Sequence, residues 1–394
     1  MWRIGFFFHE VAFGLLSIFL PLYVVSIGGS LLDVGLMASV ATLLAIPASF
    51  FWGYICDKTR RYKRYILISF FASSALLCLF TFTRDTGLFI VLYVVMAVFH
   101  VAHEPPKNVL IAELYPREEW EKSFAFYEGF TEVGWLIGLV MGVFVSFLGF
   151  NSTTTLFICS GLNFLAFVLS LFLVSDPLLI FERGLVRIEK SIDFTCRGIA
   201  ITSKVLDGFP TSENLTEENL ALFCSGLVFF AFATSTLFTP LPIFLAQNLG
   251  LATSMVYTVY VLNSGAGVIG YFMMGKRLEL HEEKMLLQKV VILRSALAFL
   301  LAIFAISIQA MFPFALVLAF MGFAYALYHV YALSLTMELI PAGMAGLFDA
   351  LVGLGSAAGA YLGPYIAQRF SFTYAFIISG ATFFLAYISF KASS

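Results

Sequence analysis

Runs of twenty or more apolar residues recur along the chain with short polar knots between them, and no other feature restricts its fold so strongly. That length is what an α-helix needs to cross about 30 Å of hydrocarbon. In lipid each backbone N–H and C=O must be satisfied within the protein, so continuous runs of this kind span as helices. Composition agrees: 61% of the 394 residues are hydrophobic and 12% are charged, against about 25% charged in a soluble domain. No single water-surrounded core could hide so much apolar surface.

The runs predict spans near 4–27, 33–55, 64–83, 87–112, 123–148, 153–174, 219–245, 252–275, 287–308, 311–336, 345–367 and 371–392. The longest connection, Ser175 to Glu218, has 44 residues, too few for an enzyme domain of ordinary size. The first span is too long for a signal-peptide core and is expected to be retained as an anchor. No G-x-x-x-x-G-K-[ST] loop and no Ser/His/Asp arrangement is present, so neither ATP-driven pumping nor hydrolysis has support. No cofactor and no nucleic-acid partner is expected.

With a cytosolic N-terminus, nineteen basic residues fall on the cytosolic side, Arg294 among them. Only Arg84 and Arg369 fall outside, and Lys107 lies within a span. The positive-inside rule therefore places both termini in the cytosol. The expected location is the plasma membrane, as a multi-pass monomer.

A weak internal duplication runs through the chain. Pro21-Leu22 and Gly53-Tyr54 recur as Pro240-Leu241 and Gly270-Tyr271, and Glu113-Leu114-Tyr115-Pro116 recurs as Glu338-Leu339-Ile340-Pro341. The pattern predicts an all-α membrane protein with twelve transmembrane helices in two pseudo-symmetric six-helix bundles, 1–174 and 219–394. The connecting segment 175–218 carries an apolar stripe at Phe181, Leu185, Ile188 and Ile192, which reads as an amphipathic helix on the membrane surface. Cys56, Cys78, Cys159, Cys196 and Cys224 lack metal-ligand spacing and read as structural thiols.

Between spans 2 and 3 stands Gly53-Tyr54-Ile55-Cys56-Asp57-Lys58-Thr59-Arg60-Arg61-Tyr62-Lys63-Arg64. This resembles the signature loop of the major facilitator superfamily, G-x-L-A-D-[RK]-x-G-R-[RK]-[RK]. Gly53, Asp57, Lys58, Arg61 and Lys63 match, while Arg60 replaces the second glycine and Tyr62 one basic position. The resemblance implies a secondary transporter working by alternating access, with Asp57 as a cytosolic latch between halves and spans 1, 4, 7 and 10 lining a central cavity. Two departures weaken a drug-efflux assignment: span 4 has no Arg, and the glycines of span 5, Gly134, Gly138 and Gly142, lack the proline of the drug antiporters.

An ionisable side chain within the bilayer costs at least about 2–3 kcal/mol and so faces a partner or a wet cavity. The candidates are His9 and Glu10 in span 1, His100, His103, Glu104 and Lys107 in span 4, Glu128 and Glu132 in span 5, and His329 in span 10. Positions 100, 103, 104 and 107 share one helical face, beside Pro105 and Pro106, which deprive the Val101 and Ala102 carbonyls of their usual donors. Helix counting puts Glu10, Glu104, Glu132 and His329 in one layer, about 6–9 Å from the span centres. A carboxylate beside histidines in a cavity of changing wetness can couple protonation to access. The leading expectation is proton-linked transport of a small organic solute, with Glu104 and Glu10 as proton carriers and Lys107 and His103 balancing charge. Tyr325, Tyr328, Thr234, Thr236 and Asn263 are candidate solute contacts. The same layer read structurally is an ion-pair network closing the cytosolic gate. The rival cargo is a divalent metal ion held by His100, His103 and Glu104, and a third reading is a non-transporting receptor on the same scaffold.

Overall fold

The computed structural model of the chain describes residues 2–114, 120–176, 220–273, 280–306, 311–339 and 346–393. Among them are no strands and twelve long helical elements. These are α1 (Arg3–Ser26), α2 (Leu31–Thr59), α3 (Tyr62–Phe80), α4 (Thr86–His100, a 3-10 turn Val101–His103, then Glu104–Leu114) and α5 (Trp120–Phe147). There follow α6 (Ser152–Leu173), α7 (Leu220–Phe238, then Leu241–Ile243 and a π turn Phe244–Asn248), α8 (Thr253–Met273) and α9 (Leu280–Phe304). The last are α10 (Met311–Leu339), α11 (Gly346–Arg369) and α12 (Phe372–Ser393). The surface helix expected over Phe181–Ile192 lies outside the described residues, as does Cys196.

Eleven of the twelve are long and apolar enough to cross a membrane. The other is α8, which carries Thr253, Ser254, Thr258, Asn263 and Ser264 and forms part of a cavity wall described below. The largest boundary difference is in α9, which begins at Leu280 rather than near 287. Its first turn holds Glu282 and Glu283, acids that suit the positive end of a helix dipole and so extend the helix beyond its apolar run.

Short connectors supply the donors and acceptors that helix ends lack. Ser30 and Asp33 form a capping box at α2, with Ser30 N–H donating to Asp33 Oδ2 at 2.7 Å. Asp85 caps α4 and Asn151 caps α6, each accepting a backbone N–H at 2.7 Å.

Lipid offers no hydrophobic drive between helices, so close backbone approach at small residues holds such bundles together. Gly134 and Gly138 of α5 abut the carbonyls of Phe7 and Val11 on α1. Gly355 and Gly359 of α11 abut the carbonyls of Val228 and Phe232 on α7. Both partners in each pair are offset by 221 residues, so the duplication extends to the packing seam inside each half.

Two further seams join the halves. Along α2 and α11, Gly35 lies against Ala360 and Pro364, Gly353 against Ile46, and the Leu32 N–H donates to Gln368 Oε1 at 2.9 Å. Along α5 and α8, Gly142 packs on the Tyr257 ring and Gly129 near Tyr271 and Phe272. The Tyr257 hydroxyl also donates to the Leu15 carbonyl of α1 at 2.7 Å. A cavity remains between the halves.

Candidate functional site

The polar residues of the spans form three groups rather than the single layer that helix counting predicts. The first is built by the break in α4. Pro105 has no N–H for the Val101 carbonyl, and that carbonyl is instead the acceptor of the Glu104 N–H, giving one turn of 3-10 helix. The carbonyl that loses the Glu104 N–H is that of His100, while Val101 regains a donor. The His100 carbonyl accepts from Ser69 Oγ at 2.8 Å and from His103 Nδ1 at 2.5 Å. His9, fully buried on α1, places Nδ1 2.6 Å from Asn163 Oδ1 on α6 and Nε2 3.1 Å from His100 Nδ1. Since an amide oxygen only accepts, His9 Nδ1 carries the proton and its Nε2 accepts from His100. Phe6, Phe13 and Phe70 surround these rings. The ligand atoms of His9, His100 and His103 lie within 4.8 Å of one another, so the imidazole set able to hold a metal ion has His9 in place of the expected Glu104.

Glu104 belongs to the second group. It is bonded to the Lys107 ammonium, and its Oε1 lies 3.2 Å from His103 Nε2. Lys107 Nζ is 3.8 Å from Glu128 Oε1 and 5.2 Å above the Tyr127 ring. Glu10 packs beside Gly134 at the α1–α5 seam. Glu10 and Asp349 of α11 lie within electrostatic range of Glu104, Lys107 and Glu128.

The third group lines the cavity of about 530 Å³ between the halves. Phe13, Leu16, Trp135, Leu139 and Phe238 give it apolar walls, and Ser17, Glu132, Thr234, Asn263, Ser264, Tyr271, Arg294 and Tyr325 give it polar ones. Glu132 of α5 accepts from Ser264 Oγ of α8 at 2.7 Å, a hydrogen bond between the halves. Asn263 donates to the Leu318 carbonyl at 2.6 Å. Tyr271 O–H and His329 Nδ1 are 3.0 Å apart, and Tyr325 stacks on the same His329 ring.

Of the solute contacts expected from sequence, Thr234, Asn263 and Tyr325 face the cavity. Thr236 and Tyr328 do not. Thr236 is buried where Gly363 meets the α7 backbone, and Tyr328 is buried flat against Phe230. Glu132 is the one expected carboxylate in the cavity wall, whereas His9, His100, His103, Glu104 and Lys107 stand off it. Sequence reasoning missed Arg294, Ser264, Tyr271 and Trp135; for Arg294 the signal was present, a base seven residues inside an apolar run.

The last turn of α2 and the connector after it leave Asp57, Lys58 and Arg61 exposed. Arg60 has φ +53°, the left-handed conformation that the glycine of the family motif adopts without strain. The Lys63 N–H in the first turn of α3 donates to Asp176 Oδ1, just past α6, at 2.8 Å. Gly53 faces the Pro105 ring of the α4 break.

The Major Facilitator Superfamily model matches residues 4–346. Over 181 residues the chain is 29% identical to the multidrug resistance protein MdtG of Rahnella sp. (strain Y9602), covering 44% of this chain and 42% of that protein. Over 180 residues it is 20% identical to an uncharacterized MFS-type transporter of Methanocaldococcus jannaschii, covering 45% of each. These alignments span less than half the length of the curated relatives. Among solved structures, the human organic anion transporter MFSD10 superposes with a TM-score of 0.72 at 15% identity, over 99% of this chain and 97% of that one. The nucleoside transporter NupG gives 0.72 at 12%, over 100% and 98%. The inward-open xylose transporter XylE from E. coli gives 0.68 at 15%, over 99% and 95%. At such identities the likeness is one of fold, and the metal-cargo and receptor readings gain nothing from it. With the family model matched over most of its length and twelve helices in two related halves, the chain belongs to the Major Facilitator Superfamily.

Proposed function

We propose that this protein moves a small organic solute through the central cavity by alternating access, coupled to protons. The observation that carries the reading is Glu132, a carboxylate in the cavity wall whose hydrogen-bond partner, Ser264, belongs to the other half. When the halves rock, that bond breaks and the hydration of the carboxylate changes, so the two access states hold the proton differently. Glu132 thereby takes the carrier role that the sequence assigned to Glu104. Glu104, bonded to Lys107 and His103, is reassigned with Glu128 to the ion-pair network near the gate. Glu10 stays a secondary carrier, and Asp57 a latch that exchanges partners as the cytosolic side closes. An organic cargo fits the apolar cavity walls and accords with relatives named for multidrug resistance and for organic anion transport. Both termini are placed in the cytosol, with the halves 1–174 and 219–394 moving about the segment between them, in a plasma-membrane monomer.

The test is reconstitution in liposomes with a trapped pH dye during a solute screen. Solute-dependent proton movement is expected in the native protein, with Glu132→Gln losing it while keeping solute exchange. Proton movement at the native rate in Glu132→Gln would refute the assignment.

A further inference from the structure

Arg294 of α9 is fully buried and reaches the cavity wall, and none of its Nε, Nη1 and Nη2 atoms has a hydrogen-bond partner among the described residues. Its guanidinium lies 4.8 Å from the ring centroids of Phe230 and Phe383 and 5.2 Å from that of Tyr325. Ring faces attract a cation but leave its in-plane N–H donors unfilled. Lys107, also buried, shows the ordinary solution, since it is paired with Glu104 and Glu128. Arg294 is a cation at neutral pH, and a buried cation without a counterion is among the most unfavourable arrangements in a protein. Tyr260, on the same cavity, likewise buries a hydroxyl without a partner. The cavity wall therefore includes a buried positive charge and donors that no described residue fills.

We infer that the cavity takes a hydrophobic monocarboxylate, with its carboxylate on Arg294 and its apolar body against Phe13, Trp135, Leu139 and Phe238. The guanidinium fork matches a carboxylate in two parallel hydrogen bonds. Among the described residues the cavity is lined by one fixed cation, Arg294, and one carboxylate, Glu132, which carries the coupled proton; with Glu132 protonated one negative charge is balanced, which favours a monoanion over a phosphomonoester. The apolar walls fit a hydrocarbon or aryl body better than a polyol. Water can fill the N–H donors but leaves the charge unbalanced. This deepens the proposed function and rests on the reading that the central cavity is the solute's path.

The experiment is equilibrium binding to the purified full chain in lipid nanodiscs, by calorimetry and by the fluorescence of Trp135 in the cavity wall. The probes are benzoate, 4-phenylbutyrate and octanoate, each matched with its primary amide. At least one carboxylate is expected to bind, with its amide weaker by roughly tenfold or more, the effect of losing a charge-assisted hydrogen bond. Arg294→Gln should weaken the carboxylate by a similar factor without changing the amide, and Arg294→Lys should fall between. Without added carboxylate, Arg294→Gln should melt no lower than the native protein, because it removes an unbalanced charge. Equal affinity for acid and amide, no binding by any of the three acids, or native binding by Arg294→Gln would overturn the inference. So would a lowered melting temperature in both variants, which would make Arg294 a structural residue. Binding needs no proton gradient, so a carboxylate held by Arg294 but moved without protons would sink the coupling proposed above and leave this inference standing. Proton-linked movement of neutral solutes alone would do the reverse.

Discussion

Gly138→Ala and Gly161→Ala add the same methyl group to two helices, and the structure predicts different outcomes for them. Each replacement favours the helix intrinsically by about 1 kcal/mol, because glycine in a helix interior is worse than alanine by that amount. At Gly161 of α6 an added Cβ meets nothing within 4 Å, so the intrinsic gain remains. At Gly138 of α5 it meets the Val11 carbonyl, the Leu15 nitrogen and Gly14 of α1, all main-chain atoms that no rotamer change can move. Two helices must then separate, an overpacking penalty of about 1–3 kcal/mol. Gly138→Ala should thus be near neutral to about 2 kcal/mol less stable than the native protein, and the two variants should differ by about 1–3 kcal/mol. Unfolding in mixed micelles can be followed with a thiol-reactive fluorophore, since Cys56, Cys159 and Cys224 are buried free thiols that unfolding exposes. Gly359→Ala, which meets the α7 backbone at Phe232, should behave like Gly138→Ala. Should Gly138→Ala prove as stable as Gly161→Ala, the α1–α5 seam is not held by backbone contact.

Arg60→Gly should be more stable than Arg60→Ala by about 1 kcal/mol, because both delete the charge but only glycine relaxes the left-handed backbone; equal unfolding midpoints would count against this. Lys107→Met alone should destabilise more than Lys107→Met combined with Glu104→Gln, since the single change strands a carboxylate in the bilayer. A double-mutant cycle measures that coupling, and strict additivity would refute it. Tyr257→Phe should lose about 1 kcal/mol with its hydrogen bond to Leu15 and loosen α8 from α1. Faster labelling of a single cysteine introduced at Leu16 would report the loosening, and unchanged labelling would contradict it.

Helix number and order were legible because lipid thickness fixes the length of an apolar run, and most boundaries agree within a few residues. The glycines of α5 were legible as a close-packing face, yet their counterparts Gly355 and Gly359 of α11 went unread although the spacing is the same. The shared face of His100, His103, Glu104 and Lys107 was legible, but the 3-10 turn at Val101–His103 divides it. The two imidazoles reach α1 and α3, through His9 and Ser69, while Glu104 pairs with Lys107. Periodicity assumes an unbroken helix, and Pro105 removes that assumption. Arg294 was misplaced for a related reason. Counted as a cytosolic base, it lies fourteen residues beyond the start of α9, or about 21 Å along the axis. Positive-inside counting weighs bases near span ends and has no means of recognising one that a cavity admits.

The offset of 221 residues that relates the two glycine seams also pairs His9 of α1 with Phe230 of α7. Around His9 stand Phe70 of α3, His100 of α4 and Asn163 of α6. Around Phe230 stand Arg294 of α9, Tyr328 of α10 and Phe383 of α12, the matching helices of the second half. One place in the repeated scaffold has therefore been filled in two ways. In the first half both ring nitrogens of His9 are bonded, to Asn163 and to His100, so that side chain is satisfied within the protein. In the second half a cation sits among rings with its hydrogen bonds unmade and the cavity beside it. A duplicated scaffold needs both places packed, but packing alone is met as well by neutral side chains, as the first half demonstrates. The unmatched charge in the second half is thus what packing leaves unexplained, and it is there that the proposed carboxylate would sit.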